Sequence, residues 1–260
     1  MEHKKGSLKS TIAVSLTNYL DAGAIVAGAS GLTLWKNYLG INEAHLGWLN
    51  AISANCFGAA IGAIFGGFLA DKYGRKTIYT YNMLLYMLGI AIIMFTVNFP
   101  MLLTGFLVTG ISVGVGVPAS WTYISENSEA GNRGKHMGIS QFAWGVGPMI
   151  ILILGMLLAP GKADASAGVL FGYVQKIATF ILGNDASVEA INVFSSRIIF
   201  GSLFIVAFIA WTLQRKLSES KDWEEAKKMQ TNEKQPGVFA SFGTLFTNKV
   251  NIRTMLFLAG

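Results

Sequence analysis

The chain has 260 residues, of which 52% are hydrophobic and only 13% are charged. This composition excludes an ordinary soluble domain and predicts a polytopic membrane protein whose main partner is the lipid bilayer. The net charge of +6 does not indicate nucleic-acid binding, because a basic nucleic-acid surface needs a soluble domain to carry it and the sequence contains no such segment.

Six apolar stretches are long enough to cross a bilayer, since a helical span needs about 20 residues. They are predicted at 11–34, 46–69, 78–99, 101–124, 137–158 and 193–213. Pro100 is expected to form the whole outer turn between the third and fourth spans. A seventh apolar run begins at Ile252 and is cut off at Gly260. We therefore expect an all-α membrane protein with six transmembrane helices and a truncated seventh span.

The basic residues lie mostly on one side of these spans. Sixteen of the 20 Lys and Arg residues fall at the N-terminus, in the loops after spans two and four, and after span six. Loops rich in Lys and Arg stay on the cytoplasmic side of a membrane. The N-terminus is therefore predicted to be cytoplasmic, and a bacterial inner membrane is the expected location.

Tryptophans lie near the ends of several predicted spans. Trp35 and Trp48 flank the first outer loop, and Trp211 lies near the inner end of span six. Amphipathic rings favour the headgroup region of a bilayer. All three are predicted to be membrane anchors rather than solute contacts.

Two segments outside the spans have helical character. The outer stretch 169–182 is apolar but too short to cross a membrane, which predicts an interfacial helix or an extension of span five. The charged stretch after span six predicts a cytoplasmic linker helix that Pro236 and Gly237 end. The expected domains are a bundle at 1–214, a linker at 215–250, and the start of a second bundle at 251–260.

The short connection between spans two and three has a distinctive spacing of Gly67, Asp71, Gly74, Arg75 and Lys76. A glycine such as Gly74 can adopt the positive φ that ends a helix. Asp71 can pair with Arg75, and the basic residues hold the hairpin on the cytoplasmic side. An ordinary charged turn is the alternative interpretation.

Asp21 is the only residue with a charged side chain that lies well inside a predicted span. An ionised carboxylate in hydrocarbon is costly, so Asp21 must face protein or water and will tend to hold a proton. Its helical face also carries Thr17 and Asn18, which together form a polar stripe. The functional interpretation is a proton-binding or solute-binding acid. The alternative is a protonated carboxyl group that bridges two spans for structure alone.

Gln141 lies in span five, close to one helical turn before Trp144. An amide offers donors and an acceptor to a polyhydroxylated ligand, and an aromatic ring suits the apolar face of such a ligand. A lone Gln can equally bridge two helices. Asn18, Gln141 and Trp144 are the candidate solute contacts.

Glycines recur at intervals of four in span two, at Gly58, Gly62 and Gly66. A row of residues without side chains lets a second helix approach closely, and close packing drives association in lipid. We interpret these glycines as packing positions.

The loop motif at 67–76 resembles the signature of the major facilitator superfamily, which joins the second and third spans on the cytoplasmic side. Three other stretches resemble its sugar porter branch: Tyr19–Asp21 is similar to a first-span G-Y-D, Tyr123–Gly134 to Y-x-x-E-x(6)-R-G, and Ser218–Trp223 to P-E-S-P-R-W. The resemblance implies the N-terminal half of a transporter. It also implies a cytoplasmic charge network that includes Glu126, Arg133 and Glu219, and a solute contact at Gln141.

The sequence departs from this family at several positions. Phe106 stands where the family has the span-four arginine that pairs with the first-span acid, and Pro148 stands where a second sugar-contacting glutamine is common. Ser218 and Lys221 replace the two prolines of the motif after span six. These departures leave the coupling ion and the identity of the solute open.

The predicted function is secondary transport of a small polar solute, such as a sugar, a polyol or a related metabolite, by alternating access with a proton as the candidate coupling ion. A drug or metabolite efflux antiporter is an alternative, because Gly147 and Pro148 resemble part of the antiporters' glycine-proline motif. A truncated membrane protein without transport activity is another. An enzyme is not expected, since Asp21 has no partnered nucleophile, and no cofactor or metal site is predicted. The C-terminal six-helix half would be missing from this chain.

Overall fold

The computed structural model describes residues 8–53, 56–128, 131–161, 166–229 and 253. Within these ranges all regular structure is α-helical. The helices are α1 Leu8–Leu39, α2 Glu43–Ile52, α3 Phe57–Tyr73, α4 Arg75–Met94, α5 Phe99–Asn127, α6 Arg133–Leu157, α7 Phe171–Leu182, α8 Val188–Gln214 and α9 Lys221–Met229. By length and composition, α1, the α2–α3 stretch, α4, α5, α6 and α8 can each cross a membrane. The prediction of an all-α membrane protein with six spans is confirmed.

The chain divides into two compact units, Met1–Lys221 and Asp222–Gly260. The first holds the six spans. In the second, the Lys227 ammonium group lies over the ring of Trp223, 4.5 Å from its centroid. Pro236, Gly237 and, apart from Arg253, the expected start of a second bundle at 251–260 lie outside the described residues. The proposed domain boundaries at 214 and 250 remain predictions.

Helix α1 forms the centre of the six-span unit and packs against α5, α6 and α8. The most apolar window of α1 is 67% buried, whereas the corresponding windows of α6 and of the α2–α3 stretch are only 17% and 25% buried. The unit therefore leaves broad apolar faces on these two spans without a protein neighbour among the described residues.

Glycines set the closest helix contacts, as predicted. A Cβ atom on Gly62 would lie 2.1 Å from the Ile111 carbonyl oxygen of α5, and one on Gly114 would lie 2.1 Å from the Ala59 carbonyl oxygen of α3. A Cβ atom on Gly147 would lie 2.3 Å from the Tyr19 carbonyl oxygen, so α6 meets α1 in the same way. Main chain packs directly on main chain at these positions, and any side chain would separate the helices.

Span two is interrupted, although its hydropathy predicted one continuous helix. Helix α2 ends at Ile52, and the next residue, Ser53, is extended with φ −68° and ψ −171°. The Ser53 amide closes the last turn by donating to the Leu49 carbonyl oxygen at 3.0 Å. Helix α3 then starts at Phe57. Hydropathy counts apolar residues over a window and carries no signal for such a break.

The turn between α4 and α5 differs from the prediction that Pro100 forms it. Pro100 lies in the first turn of α5, where a missing N–H costs no helical hydrogen bond. Asn98 caps the helix, because its side-chain oxygen accepts from the Met101 amide at 2.9 Å. The connection therefore runs through residues 95–98, and the prediction was wrong because proline is as suited to a helix start as to a turn.

Trp35 is buried, which corrects its assignment as a headgroup anchor. It is fully inaccessible to solvent, and its indole Nε1 donates to Ser196 Oγ of α8 at 3.1 Å. Because α1 runs on to Leu39, Trp35 lies within the helix rather than at its end. Trp48, in contrast, is 62% exposed.

The segment between α6 and α8, which is predicted to lie on the outer side, contains a separate helix, α7. Phe171, Val174 and Ala178 form its buried face, which packs against α8. Span five ends at Leu157, so α7 is not an extension of that span. Its expected position at the membrane interface remains a prediction.

Candidate functional site: a charge cluster and a polar interior

Arg75 is the centre of a cluster at the end of the bundle that holds the loop between α3 and α4. Gly74 has φ +103° and joins the two helices with a single residue. The Arg75 guanidinium group contacts Asp71 Oδ1 at 2.8 Å and Glu126 Oε1 at 3.2 Å, and it donates to the Ala70 carbonyl oxygen at 3.2 Å. The structure thus joins the loop motif to the end of α5.

The segment after α8 completes this cluster. Glu219 Oε1 accepts from the main-chain amide of Lys76 at 2.8 Å and from that of Ser220 at 3.0 Å. Ser220 Oγ donates to Glu126 Oε2 at 2.5 Å. A carboxylate at the start of α4 is favourable because the amides there are unsatisfied and carry partial positive charge. The segment that follows span six is thereby fastened to the first turn of α4.

Two residues of the predicted network lie at its edge. Arg133 starts α6, is exposed, and donates from Nε to the Ser125 carbonyl oxygen at 3.0 Å. Gly67 is half-buried in α3, and nothing lies within 4 Å of the position that a Cβ atom would take there. Asp71, Arg75, Glu126 and Glu219 are therefore the side chains that the structure brings together.

Asp21 lies in the middle of α1 and is completely buried. Neither of its carboxyl oxygens has a hydrogen-bond partner among the described residues. None of the three ion pairs in the described part of the chain includes Asp21. An unpaired, desolvated carboxylate is expensive, so this position strongly favours binding of a positive charge or a proton.

Phe106 occupies space between α1 and α8. A Cβ atom on Gly28 would lie 2.8 Å from the Phe106 ring, and Phe106 meets Phe200 edge to face with ring centroids 6.2 Å apart. An apolar contact thus stands where the family resemblance implies an arginine. In the described ranges, no three His, Cys, Asp or Glu side chains gather to form a metal site.

Asn18 lies on α1, three residues before Asp21, and is fully buried. Its Nδ2 donates to Ser140 Oγ of α6, and its Oδ1 accepts from Ser120 Oγ of α5 at 3.1 Å. On the same face, Thr17 Oγ1 accepts from Gln214 Nε2 of α8 at 2.9 Å. The polar stripe of α1 therefore ties four helices together.

The sequence singled out neither the partners of this stripe, Ser120, Ser140 and Gln214, nor Asn82 and Ser112, which bond to each other between α4 and α5. Each is a polar residue inside an apolar span and is buried in the structure. That combination was the available signal, because a polar side chain in a membrane span needs a partner or a cavity. Which residues would face one another was not readable from their spacing.

Gln141 and Trp144 lie on α6, away from this stripe. Gln141 is exposed and Trp144 is half-buried, whereas the neighbouring Ser140 is buried against α1. The structure therefore separates the candidate solute contacts. Asn18 is inside the bundle with its hydrogen bonds made, and Gln141 is on the surface with its amide accessible.

A sequence profile described as Major Facilitator Superfamily matches residues 11–260. The chain belongs to the major facilitator superfamily. Over 254 residues it is 39% identical to the minor myo-inositol transporter IolF of Bacillus subtilis, a match that covers 97% of this chain and 51% of that protein. It is 31% identical over 140 residues to the arabinose-proton symporter of Escherichia coli, covering 54% of this chain and 27% of that one.

The six-span unit also resembles solved transporter structures. A partially occluded, inward-open structure of the xylose transporter XylE from E. coli superposes with a TM-score of 0.63 at 19% identity, covering 85% of this chain and 51% of that one. At this identity the match shows the fold alone. The chain thus spans about half the length of the transporters that it resembles, and it is an integral membrane protein.

Proposed function

We propose that this chain forms the first half of a secondary transporter that moves a small polyhydroxylated solute, a sugar or a polyol, by alternating access. The observation that carries the proposal is the 39% identity to a myo-inositol transporter, because it extends over 97% of the chain. Membership of the superfamily supports transport as the activity rather than catalysis.

The solute site would lie between this bundle and a second bundle. Transporters built from repeated halves bind solute near the bilayer midplane at the interface of the halves. The broad faces of α6 and the α2–α3 stretch, which lack a protein neighbour among the described residues, suit such an interface. The exposed amide of Gln141 and the half-buried ring of Trp144 would then contact the hydroxyl groups and the apolar face of the solute.

Asp21 would bind the coupling proton. It is fully buried, its carboxyl oxygens have no hydrogen-bond partner in the part of the chain that the structure describes, and Phe106 supplies no positive charge to hold it ionised. Proton binding would neutralise the carboxyl group whenever the solute cavity opens to the side with more protons. The named activity of the arabinose-proton symporter, which shares 31% identity with part of this chain, is consistent with this assignment.

The cluster around Arg75 would hold the inner ends of the spans together as one body during this movement. It links the loop between α3 and α4 to the end of α5 through Glu126 and to the segment after α8 through Glu219. Rocking of one bundle against another requires that each bundle move as a unit. The N-terminus and this cluster would lie in the cytoplasm of a bacterial cell, at the inner membrane.

The presence of Gly147 can be explained without an efflux function. Its missing side chain lets α6 pack on the Tyr19 carbonyl oxygen of α1, which is a sufficient structural reason for a glycine. Pro148 follows it in the same helix.

The test is uptake into proteoliposomes by the complete transporter that contains this chain. With a proton gradient imposed, we expect accumulation of radiolabelled myo-inositol or of a hexose or pentose, and competition among these solutes. A protein that expels cationic dyes and accumulates no sugar or polyol would establish the efflux alternative instead. A complete transporter that moves no solute in either direction would contradict both.

A further inference from the structure

Arg197 carries a positive charge in the third turn of α8, near the end of the bundle that is opposite to the Arg75 cluster. Its side chain is half-buried. Among the described residues no carboxylate pairs with it, because the three ion pairs there involve Lys36 or Arg75 as the cation. Glu43, at the start of α2, pairs with Lys36. A guanidinium group that is partly removed from water without an anion retains an electrostatic cost.

Neutral groups hold this guanidinium group in one place. Its Nη2 donates at 2.9 Å to the carbonyl oxygen of Thr96, just past the end of α4. The guanidinium carbon lies 5.7 Å from the centroid of the Trp35 ring and 5.3 Å from that of the Tyr38 ring. The Nε atom is buried and donates to no described residue. The group is therefore fixed at the junction of α1, α4 and α8, and it has N–H groups left to donate.

Apolar surface on both α4 and α8 adjoins this junction. Phe95 and Val97, on either side of Thr96, are 70% and 66% exposed. Further exposed apolar residues continue along the two spans towards the Arg75 end: Leu84 and Leu88 on α4, and Ile205, Phe208 and Ile209 on α8. From Arg197 to Ile209 the helix rises about 18 Å, close to the thickness of one hydrocarbon leaflet, about 15 Å.

These surroundings favour a lipid phosphate over an anion from solution. Helices α4 and α8 are membrane spans, and exposed apolar patches on such spans are surfaces for lipid. A phospholipid at this position places its acyl chains along the apolar residues and its phosphate level with Arg197. Guanidinium groups form charge-assisted hydrogen bonds with phosphate oxygens, and long basic side chains near the ends of spans extend to the headgroups.

We propose that Arg197 binds the phosphate group of a phospholipid whose acyl chains lie along α4 and α8, in the leaflet predicted to be the outer one. The phosphate supplies the anion that the described residues do not supply. It accepts hydrogen bonds from N–H groups of Arg197 that the Thr96 carbonyl oxygen leaves open. The site lies apart from the solute contacts of the proposed function and does not depend on transport.

The test is native mass spectrometry of the 260-residue chain, released from detergent after titration with phosphatidylglycerol. A diacylglycerol with the same acyl chains, which lacks the phosphate, is the lipid control. We expect the protein to retain phosphatidylglycerol and little diacylglycerol. Arg197→Gln should weaken phosphatidylglycerol binding about tenfold or more, because hydrogen bonds to a charged group are lost. Arg197→Lys keeps the charge and should weaken binding less.

Arg215→Gln is the matched control variant. Arg215 is exposed just past the opposite end of α8, and its guanidinium carbon also lies over an aromatic ring, 4.5 Å from the centroid of Trp211. The substitution removes the same charge from the same segment and should leave phosphatidylglycerol binding at Arg197 unchanged.

Three results would overturn the proposal. Equal weakening by Arg197→Gln and Arg215→Gln would show only a general attraction between basic residues and anionic lipid. Equal retention of diacylglycerol and phosphatidylglycerol would show that apolar contacts alone hold the lipid. Displacement of phosphatidylglycerol by inorganic phosphate would show that Arg197 binds a free anion rather than a lipid.

A measurement on the unsubstituted protein covers the case in which Arg197→Gln does not fold. A phospholipid that carries a photoreactive diazirine next to its phosphate should crosslink to residues 92–97 and 188–197, identified by mass spectrometry of the digested protein. Crosslinks confined to other segments would contradict the proposal.

Discussion

The two polar regions of this bundle are built in opposite ways. Around Arg75, each carboxylate finds a donor, and the guanidinium group is shared among Asp71, Glu126 and a main-chain carbonyl oxygen. Around Asp21, neither carboxyl oxygen accepts a hydrogen bond from any described residue. The first arrangement is that of a structural tie, and the second fits the proposed binding of a proton.

Location explains the difference. The cluster lies at the ends of the helices, where Asp71 is 69% exposed and water can screen the charges. Asp21 is fully buried in a span, where an unpaired carboxylate is costly. In the proposed function, Asp21 lies at this costly position because it binds a proton. Loss of charge should therefore have different consequences in the two regions, for the fold in one and for coupling in the other.

The largest expected effect is at Asp21. In the complete transporter, Asp21→Asn should abolish uphill solute accumulation while leaving exchange down a gradient, because the amide keeps size and hydrogen bonding but cannot titrate. Proteoliposome uptake with and without a proton gradient measures both quantities. Uphill accumulation that survives the substitution would assign the coupling to another residue or to another ion. Equal loss of uphill and downhill transport, with a lower melting temperature, would show that Asp21 stabilises the fold rather than binding a coupling proton.

Arg75 should behave in the opposite way. Arg75→Ala leaves the carboxylate of Glu126, whose side chain is only 16% exposed, without its cation, and should lower the stability of the unit by about 2–3 kcal/mol. Asp71→Ala is the matched control, since an exposed partner contributes about 1 kcal/mol or less. Thermal melting of both variants by circular dichroism, in the same detergent, gives the ranking. Equal melting temperatures for Arg75→Ala and the wild type would show that the cluster does not stabilise the bundle.

Gln141 belongs to neither region, because its amide is exposed on α6. We expect Gln141→Ala to leave the melting temperature unchanged and to weaken solute binding by about 1–3 kcal/mol, the value of hydrogen bonds lost from a site closed by solute. Titration calorimetry with the best transported solute measures it in the complete protein. Phe142→Ala, at a residue that is 74% exposed on the same helix, is the control. Unchanged affinity in Gln141→Ala would leave this amide as a surface residue.

The smallest expected effect concerns the orientation of the bundle in the membrane, on which the proposed cytoplasmic position of the Arg75 cluster depends. In a Cys56→Ser background, which removes the exposed native cysteine, single cysteines at Asn184 and Lys228 should leave folding unchanged. An impermeant maleimide added to intact cells should label position 184 and not position 228. The reverse pattern would place the Arg75 cluster outside the cell.

Local features of this protein were well predicted from its sequence. The six spans follow from runs of apolar residues, and the loop at 67–76 follows from the spacing of its glycines and charges, so neither needs knowledge of a distant partner. The pairing of Asp71 with Arg75, at i and i+4, was equally local. Predictions that depended on a distant contact were less successful. Trp35 was predicted to lie at the membrane surface, but the structure places it against Ser196 of α8.

The sequence by itself determined the membrane class of this protein, the number of its spans, the apolar glycine faces and the isolation of one carboxyl group in hydrocarbon. The tertiary structure decided which groups meet: Asn18 with Ser120 and Ser140, Glu219 with the start of α4, and Asp21 and Asn82 with Gly116. The physical reason is that hydropathy is a property of each segment, whereas contacts depend on the rotation and register of helices against one another. Spans that are apolar on nearly all sides reveal little of that rotation, and interhelical packing at glycines such as Gly116 sets it.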